Sequence, residues 1–277
     1  MSLKKIDCHQ HFLKPDQVSY CWMKPDMPLA KDFLPSDLKP WLDKHGVQKT
    51  ILVEAADSEE ENEFMFQLAA ENDFIGGIVI WLDMESSGFA DDLARYLKKP
   101  KFVGIRPMIE SIDDERWMLR PAVKKSFGVL QAQNVCFDFL THPKHLPHAL
   151  QILDEFPELR TVINHISKPP IKDGVLTPWD KLIEKAANHK NVYCKLSGMI
   201  TEADHKTWKP ADLTPYIKHI LEVFGPQRCM FGSDWPVCLL AGTYDDVVEA
   251  LLENLCDLTS QELEDIFRGN ASRFYRI

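Results

Sequence analysis

No stretch of the 277-residue sequence is apolar over the length of a membrane span; the longest such run, around Phe74 to Leu82, is strand-length. Met1 to Lys5 lack the long apolar core of a secretory signal, so a cytoplasmic protein is expected. Positive charge is in deficit. Lys and Arg total 32 against 42 Asp and Glu, a formal net charge of −10. That balance argues against nucleic acid and anionic membrane as partners. It leaves room for a small anionic ligand, because local field differs from net charge. No C-x-x-C pair occurs, and the seven cysteines are odd in number. Cys8, Cys136, Cys194 and Cys229 lie inside apolar runs, as buried reduced thiols do. With no secretory signal, the sequon Asn270-Ala271-Ser272 is a chance match. No Ser/Gly-rich linker or short repeat divides the chain, so residues 1–277 are expected to form a single domain.

What is present is a series of short apolar runs alternating with helical patterns. The runs begin at Lys4–Cys8 and Thr50–Glu54, then Ile75–Leu82 and Phe102–Arg106. They continue at Val135–Leu140, Thr161–His165, Val192–Leu196 and Cys229–Ser233. Each is continuously apolar rather than alternating, as expected of strands buried on both faces. Helical patterns fall between them at Ser58–Asn72, from Asp91, at Leu119–Gln133, Pro143–Phe156, Pro178–Ala187 and Asp212–Phe224. Eight such units predict an α/β fold, a (β/α)₈ TIM barrel. The proline-rich segment Phe12–Pro40 is a long loop after strand 1, suited to a pocket wall. A C-terminal helical tail is expected, with capping-box spacing at Thr259–Glu262 and a stop near Gly269.

In such a barrel the C-terminal strand ends share one mouth. Here they carry His9 and His11, Glu54, Arg106, His165, Lys195 and Asp234, with Asp138 near the end of the fifth. His9 and His11 are two apart, so both imidazoles can face one way. Gly232 permits close backbone approach just before Asp234, and Pro236 stops further pairing. Buried charges are costly unless they bind or react, so this set is a candidate site. Trp22 and Trp235 stand out among the tryptophans by position. His142, His145 and His148 would fan around a helix and could not easily share one metal. Of these, His142 begins the loop after the fifth strand and can line the mouth.

Six stretches together resemble the amidohydrolase-related family. They are Ile6–Phe12, Gly104–Arg106, Asn164–Pro169, Cys194–Gly198, Phe231–Val237 and Asn270–Tyr275. Within that family the chain is similar to the sugar-lactonase group, hydrolases of L-fucono- and L-rhamnono-lactones. The resemblance implies a barrel hydrolase opening the cyclic ester of a sugar acid, with a small-molecule sugar lactone as its partner; a homodimer is compatible with it. Two positions depart from the group's pattern: Pro107 where a histidine is frequent, and Glu54 where glutamine is frequent.

On that basis Asp234 is the expected general base, with His165, His9 and His11 assisting catalysis. Arg106, Lys195, Glu54, Trp22, His142 and Trp235 are expected to bind substrate. The cofactor expectation is none, or one loosely bound divalent ion, zinc or manganese, on His9, His11 and Asp234. Two other functions fit the fold class: a metal-dependent decarboxylase or amide hydrolase, and a non-catalytic sugar-acid binder.

Overall fold

The computed structural model describes residues 3–277. Eight strands form one parallel sheet in sequential order. They are β1 (Lys5–Gln10), β2 (Val47–Val53), β3 (Ile75–Ile80), β4 (Phe102–Ile105), β5 (Cys136–Phe139), β6 (Thr161–Ile163), β7 (Val192–Leu196) and β8 (Cys229–Phe231). The expected (β/α)₈ barrel is the observed one. Its seam is closed by backbone bonds from Asp234 N to His9 O (2.8 Å) and from His11 N to Trp235 O (2.7 Å). Below the seam, Asp7 accepts from Ser233 N (2.8 Å) and from the Tyr244 hydroxyl (3.0 Å), locking β8 to β1.

Helices cover the outside: α1 (Pro35–His45), α2 (Glu59–Glu71), α3 (Phe89–Tyr96), α4 (Pro121–Gln133), α5 (Leu146–Glu155) and α6 (Trp179–Ala187). Short α7 (Met199–Glu202) precedes α8 (Pro210–Phe224), α9 (Tyr244–Asn254), α10 (Ser260–Glu264) and α11 (Asn270–Tyr275). Ser58 caps α2 by accepting from Glu61 N at 3.1 Å, and Thr259 caps α10. Two differences from the sequence reading concern ends. The segment after β1 holds a helix of its own, because Gly46 supplies a left-handed C-cap to α1. Gly269 does not stop the tail; it has helical φ, and one π turn carries the chain on into α11.

The apolar interior has two parts. The larger lies between strands and helices. The smaller fills the barrel floor, where Ile6, Cys8, Ile51, Val53, Val79 and Met230 meet Phe274 and Tyr275 of α11. All seven cysteines are free, and Cys8, Cys136, Cys194 and Cys229 are buried as expected. Asn270 is fully buried and donates to Pro226 O and Cys229 O, so the sequon is inaccessible. No helix of the described residues is long and apolar enough to cross a membrane.

Candidate active site

β1 reaches the mouth by changing parity. Ile6 and Cys8 face the barrel floor. Strict alternation would then turn Gln10 inward and His9 outward. Asp7 pairs with Thr50 but Gln10 with Leu52, so β1 takes one residue more than β2 over the same span. That bulge turns His9 and His11 inward together and sends Gln10 outward to Thr50 Oγ1 (3.1 Å). At the other side of the seam Asp234 has φ 59°, a left-handed residue that bends the chain off β8.

The opposed histidines and the aspartate meet. His11 Nε2 lies 3.4 Å from Asp234 Oδ1, His9 Nε2 lies 3.7 Å from it, and the two Nε2 atoms are 3.2 Å apart. His165 Nε2 is 3.8 Å from the same oxygen. His165 comes not from strand β6 but from the turn after it. His165, Ile166, Ser167 and Lys168 all have φ between 47° and 63°. Such a run is strained for residues with a Cβ, and it is fixed by tertiary bonds. Trp179 Nε1 donates to Ile166 O (2.6 Å), and Ser167 Oγ pairs with Thr141 Oγ1 (2.9 Å).

Burial sets the charge states. It pushes His165 down to about 3 and His9 well below the usual range, the latter helped by the charge of Lys195. His11 is also lowered, by burial first. Burial alone would raise the Asp234 carboxyl; the neighbouring His165 and His11 rings outweigh it and hold Asp234 below its ordinary value. At neutral pH the cluster is three neutral imidazoles around one carboxylate.

A cavity of about 170 Å³ opens over this cluster. Its polar wall is His11, Arg106, Glu110, His165, Lys168 and Asp234; its apolar wall includes Trp22, Met27, Met108, Leu140, Val237 and Leu240. Trp22 therefore sits where expected, and the loop after β1 supplies a wall. Arg106 also lines the cavity, with Nη1 3.2 Å from His9 Nε2. Glu54 and Lys195 lie behind this first layer. Glu54 accepts from Arg106 Nε at 2.7 Å and holds the guanidinium in place. Lys195 is fully buried between Asp138 (2.6 Å) and His9 Nδ1 (3.3 Å). Trp235 is buried against Phe12 and Phe33, away from the cavity lining. His142 stands outside the lining, 3.6 Å from Glu110.

Sequence reasoning passed over Lys168 and Glu110. Lys168 had a signal: it follows His165 by three and precedes Pro169-Pro170, which marks a loop on the active face. Glu110 had none, because it lies beyond the end of β4 in an irregular segment.

His9, His11 and Asp234 are the one group of metal-ligand type found among the described residues. Their fit to a metal can be tested on donors. His11 Nδ1 donates to Val53 O (2.8 Å), which leaves its Nε2 a bare lone pair. His9 Nδ1 lies 3.0 Å from Asn164 Oδ1, and donation there leaves its Nε2 an acceptor, which faces Arg106 Nη1 at 3.2 Å and would turn to an ion. Separations of 3.2–3.7 Å among three lone-pair atoms match the edge of a tetrahedron with ligand bonds of about 2.0–2.1 Å. The residues fit one divalent ion. The positive charges of Arg106 and Lys195 stand next to His9 and weaken that hold.

Comparison with known proteins agrees with this geometry. The chain is 36% identical to an L-fucono-1,5-lactonase of Burkholderia ambifaria, over 99% of this chain and 96% of that relative. It is 32% identical to an L-fucono-1,5-lactonase of Burkholderia multivorans, over 100% of this chain and 97% of that one. A crystal structure of an amidohydrolase from Burkholderia multivorans with bound zinc superposes with a TM-score of 0.93 at 30% identity, covering 99% of each chain. The amidohydrolase family model matches residues 6–277 from the first strand to the last helix, and the chain belongs to that family.

Proposed function

We propose that the protein hydrolyses the cyclic ester of a sugar-acid lactone, of the L-fucono-1,5-lactone type. The observation that carries this reading is the convergence of Asp234, His11 and His165 on one small cavity, with His9 packed against them from behind. Ester opening needs a base for water, a donor for the carbonyl oxygen and a proton for the departing alkoxide. A water held by Asp234 Oδ1 and His11 Nε2 has both hydrogens on acceptors, so its lone pair faces the cavity. Asp234 takes the proton and returns it to the ring oxygen. With the Ser197 hydroxyl donating to His165 Nδ1 (2.9 Å), the Nε2–H of His165 is free to donate to the carbonyl oxygen. Arg106 adds fixed positive charge beside that oxygen. The apolar wall at Trp22, Met27 and Met108 suits the methyl group of a 6-deoxy sugar acid. A divalent ion held by His9, His11 and Asp234 would supply Lewis acidity to the carbonyl or to the water.

One assay tests the proposal. Lactone opening releases acid, so a pH indicator over a panel of aldono-1,4- and 1,5-lactones should report turnover by the wild type. Asp234→Asn should lose at least about 10²-fold in kcat, the scale of a missing reaction partner. Repeating the assay after chelation and dialysis decides whether the ion is needed. Wild-type turnover by the Asn variant would remove Asp234 from the chemistry.

A further inference from the structure

The cavity holds one ion pair that water activation does not use. Lys168 Nζ lies 2.6 Å from Glu110 Oε2 and 3.7 Å from Glu202 Oε1. Lys168 and Glu110 are exposed over only 20% and 18% of their side-chain surface, and both line the cavity. Burying an ion pair is costly, and a pair of apolar residues of the same shape would hold the fold as well. The backbone is strained to bring it there: Lys168 ends the left-handed run with φ 48° and lies three residues after His165.

The other polar groups of the lining already have a part in the reaction: Asp234 and His11 hold the water, and His165 and Arg106 stand at the carbonyl oxygen. The remaining wall is mostly apolar. A polyhydroxylated ring entering this space loses water from every hydroxyl, and each must find a partner or weaken binding. Lys168 can only donate and ionised Glu110 can only accept, so together they can satisfy both roles of a hydroxyl, or one role of each of two neighbours.

We propose that Lys168 and Glu110 form the hydroxyl-reading subsite, and that they set the specificity for lactones bearing adjacent ring hydroxyls. This rests on the lactonase reading and deepens it. The pair does no chemistry: the ammonium donates to one ring oxygen, the carboxylate accepts from the same or the next hydroxyl, and the ring is oriented with its ester over Asp234.

The test crosses enzyme variants with substrates. Wild type, Lys168→Met and Glu110→Gln are assayed on a sugar lactone and on analogues each lacking one hydroxyl. In wild type, deleting the hydroxyl that is read should lower kcat/KM by roughly 10–100-fold, the scale of a hydrogen bond to a charged group. In either variant the same deletion should cost less than about threefold, mostly through KM, because the partner is already gone. Each comparison is a ratio within one protein, so a fraction that fails to fold cancels. If every deletion costs as much in both variants as in wild type, the pair is structural and the proposal falls while the lactonase reading stands. A wild type that opens no sugar lactone overturns both.

Discussion

Position 165 is built for a neutral imidazole. Burial lowers His165 to about 3, and His9 and His11 are lowered with it, while the same side chains in the unfolded chain titrate near 6.5. Below that pH the unfolded chain takes up protons that the folded one refuses. The stability these histidines contribute is therefore full above about 6.5 and is lost on acidification, for His165 by about 1.4 kcal/mol per pH unit. For His165 the loss continues down to about pH 3. Urea unfolding of wild type and His165→Gln at pH values from 7 to 4.5 should show this contribution as a difference in the pH slope of stability of close to one proton. An unchanged slope would mean that the imidazole is already charged. Histidine and aspartate at strand ends were legible in the sequence because barrel strand ends converge. Partner choice was not: nothing in the sequence says that Glu54 serves Arg106, or that Lys195 sits between Asp138 and His9, outside the cavity lining.

At the scale of elements, all eight strands fall on the expected runs, with ends shifted by a few residues, since apolar runs bury themselves. The ends of β1 and β6 are informative. The bulge in β1 is invisible in the sequence, because it depends on where β2 lies. β6 stops after Ile163 and the chain turns left-handed through residues with no preference for that region. Gly198, before α7, makes the turn possible: with φ 62°, a Cβ there would come within 2.4 Å of His165 Nδ1. Gly198→Ala should therefore displace the His165 ring and cost about 1–2 kcal/mol of backbone strain. Misplacement of a reacting group by an ångström is worth up to about 10²-fold, so kcat should fall well beyond KM. Wild-type kcat in a folded Gly198→Ala protein would show that the ring need not stand where it does. Gly232 was foreseen as a point of close approach, and it is one: an added Cβ would be 2.7 Å from His9 Cβ.

Taken whole, the molecule is a barrel open at one end and plugged at the other. The plug lies past Gly269, where the sequence suggested a stop: a glycine with flanking charge reads as a C-cap unless the next turn has something to bury. Here it has Phe274 and Tyr275, which close the barrel floor. The Tyr275 hydroxyl donates to both oxygens of Asp138 at 3.2 Å; Asp138 holds Lys195, and Lys195 reaches His9. The floor and the mouth of the barrel thus share one buried polar column. Tyr275→Phe keeps the ring and removes one bond, while Asp138 keeps Lys195; it should cost about 1–2 kcal/mol. Tyr275→Ala also opens a void beneath the barrel and should cost about 3–5 kcal/mol, as large buried aromatics do. The neighbouring exposed Arg276→Ala serves as control and should stay within about 0.5 kcal/mol. Denaturant titration of the three variants gives the ranking. If Tyr275→Ala is no weaker than Arg276→Ala, the last helix is an appendage and the barrel floor is held by the strands alone.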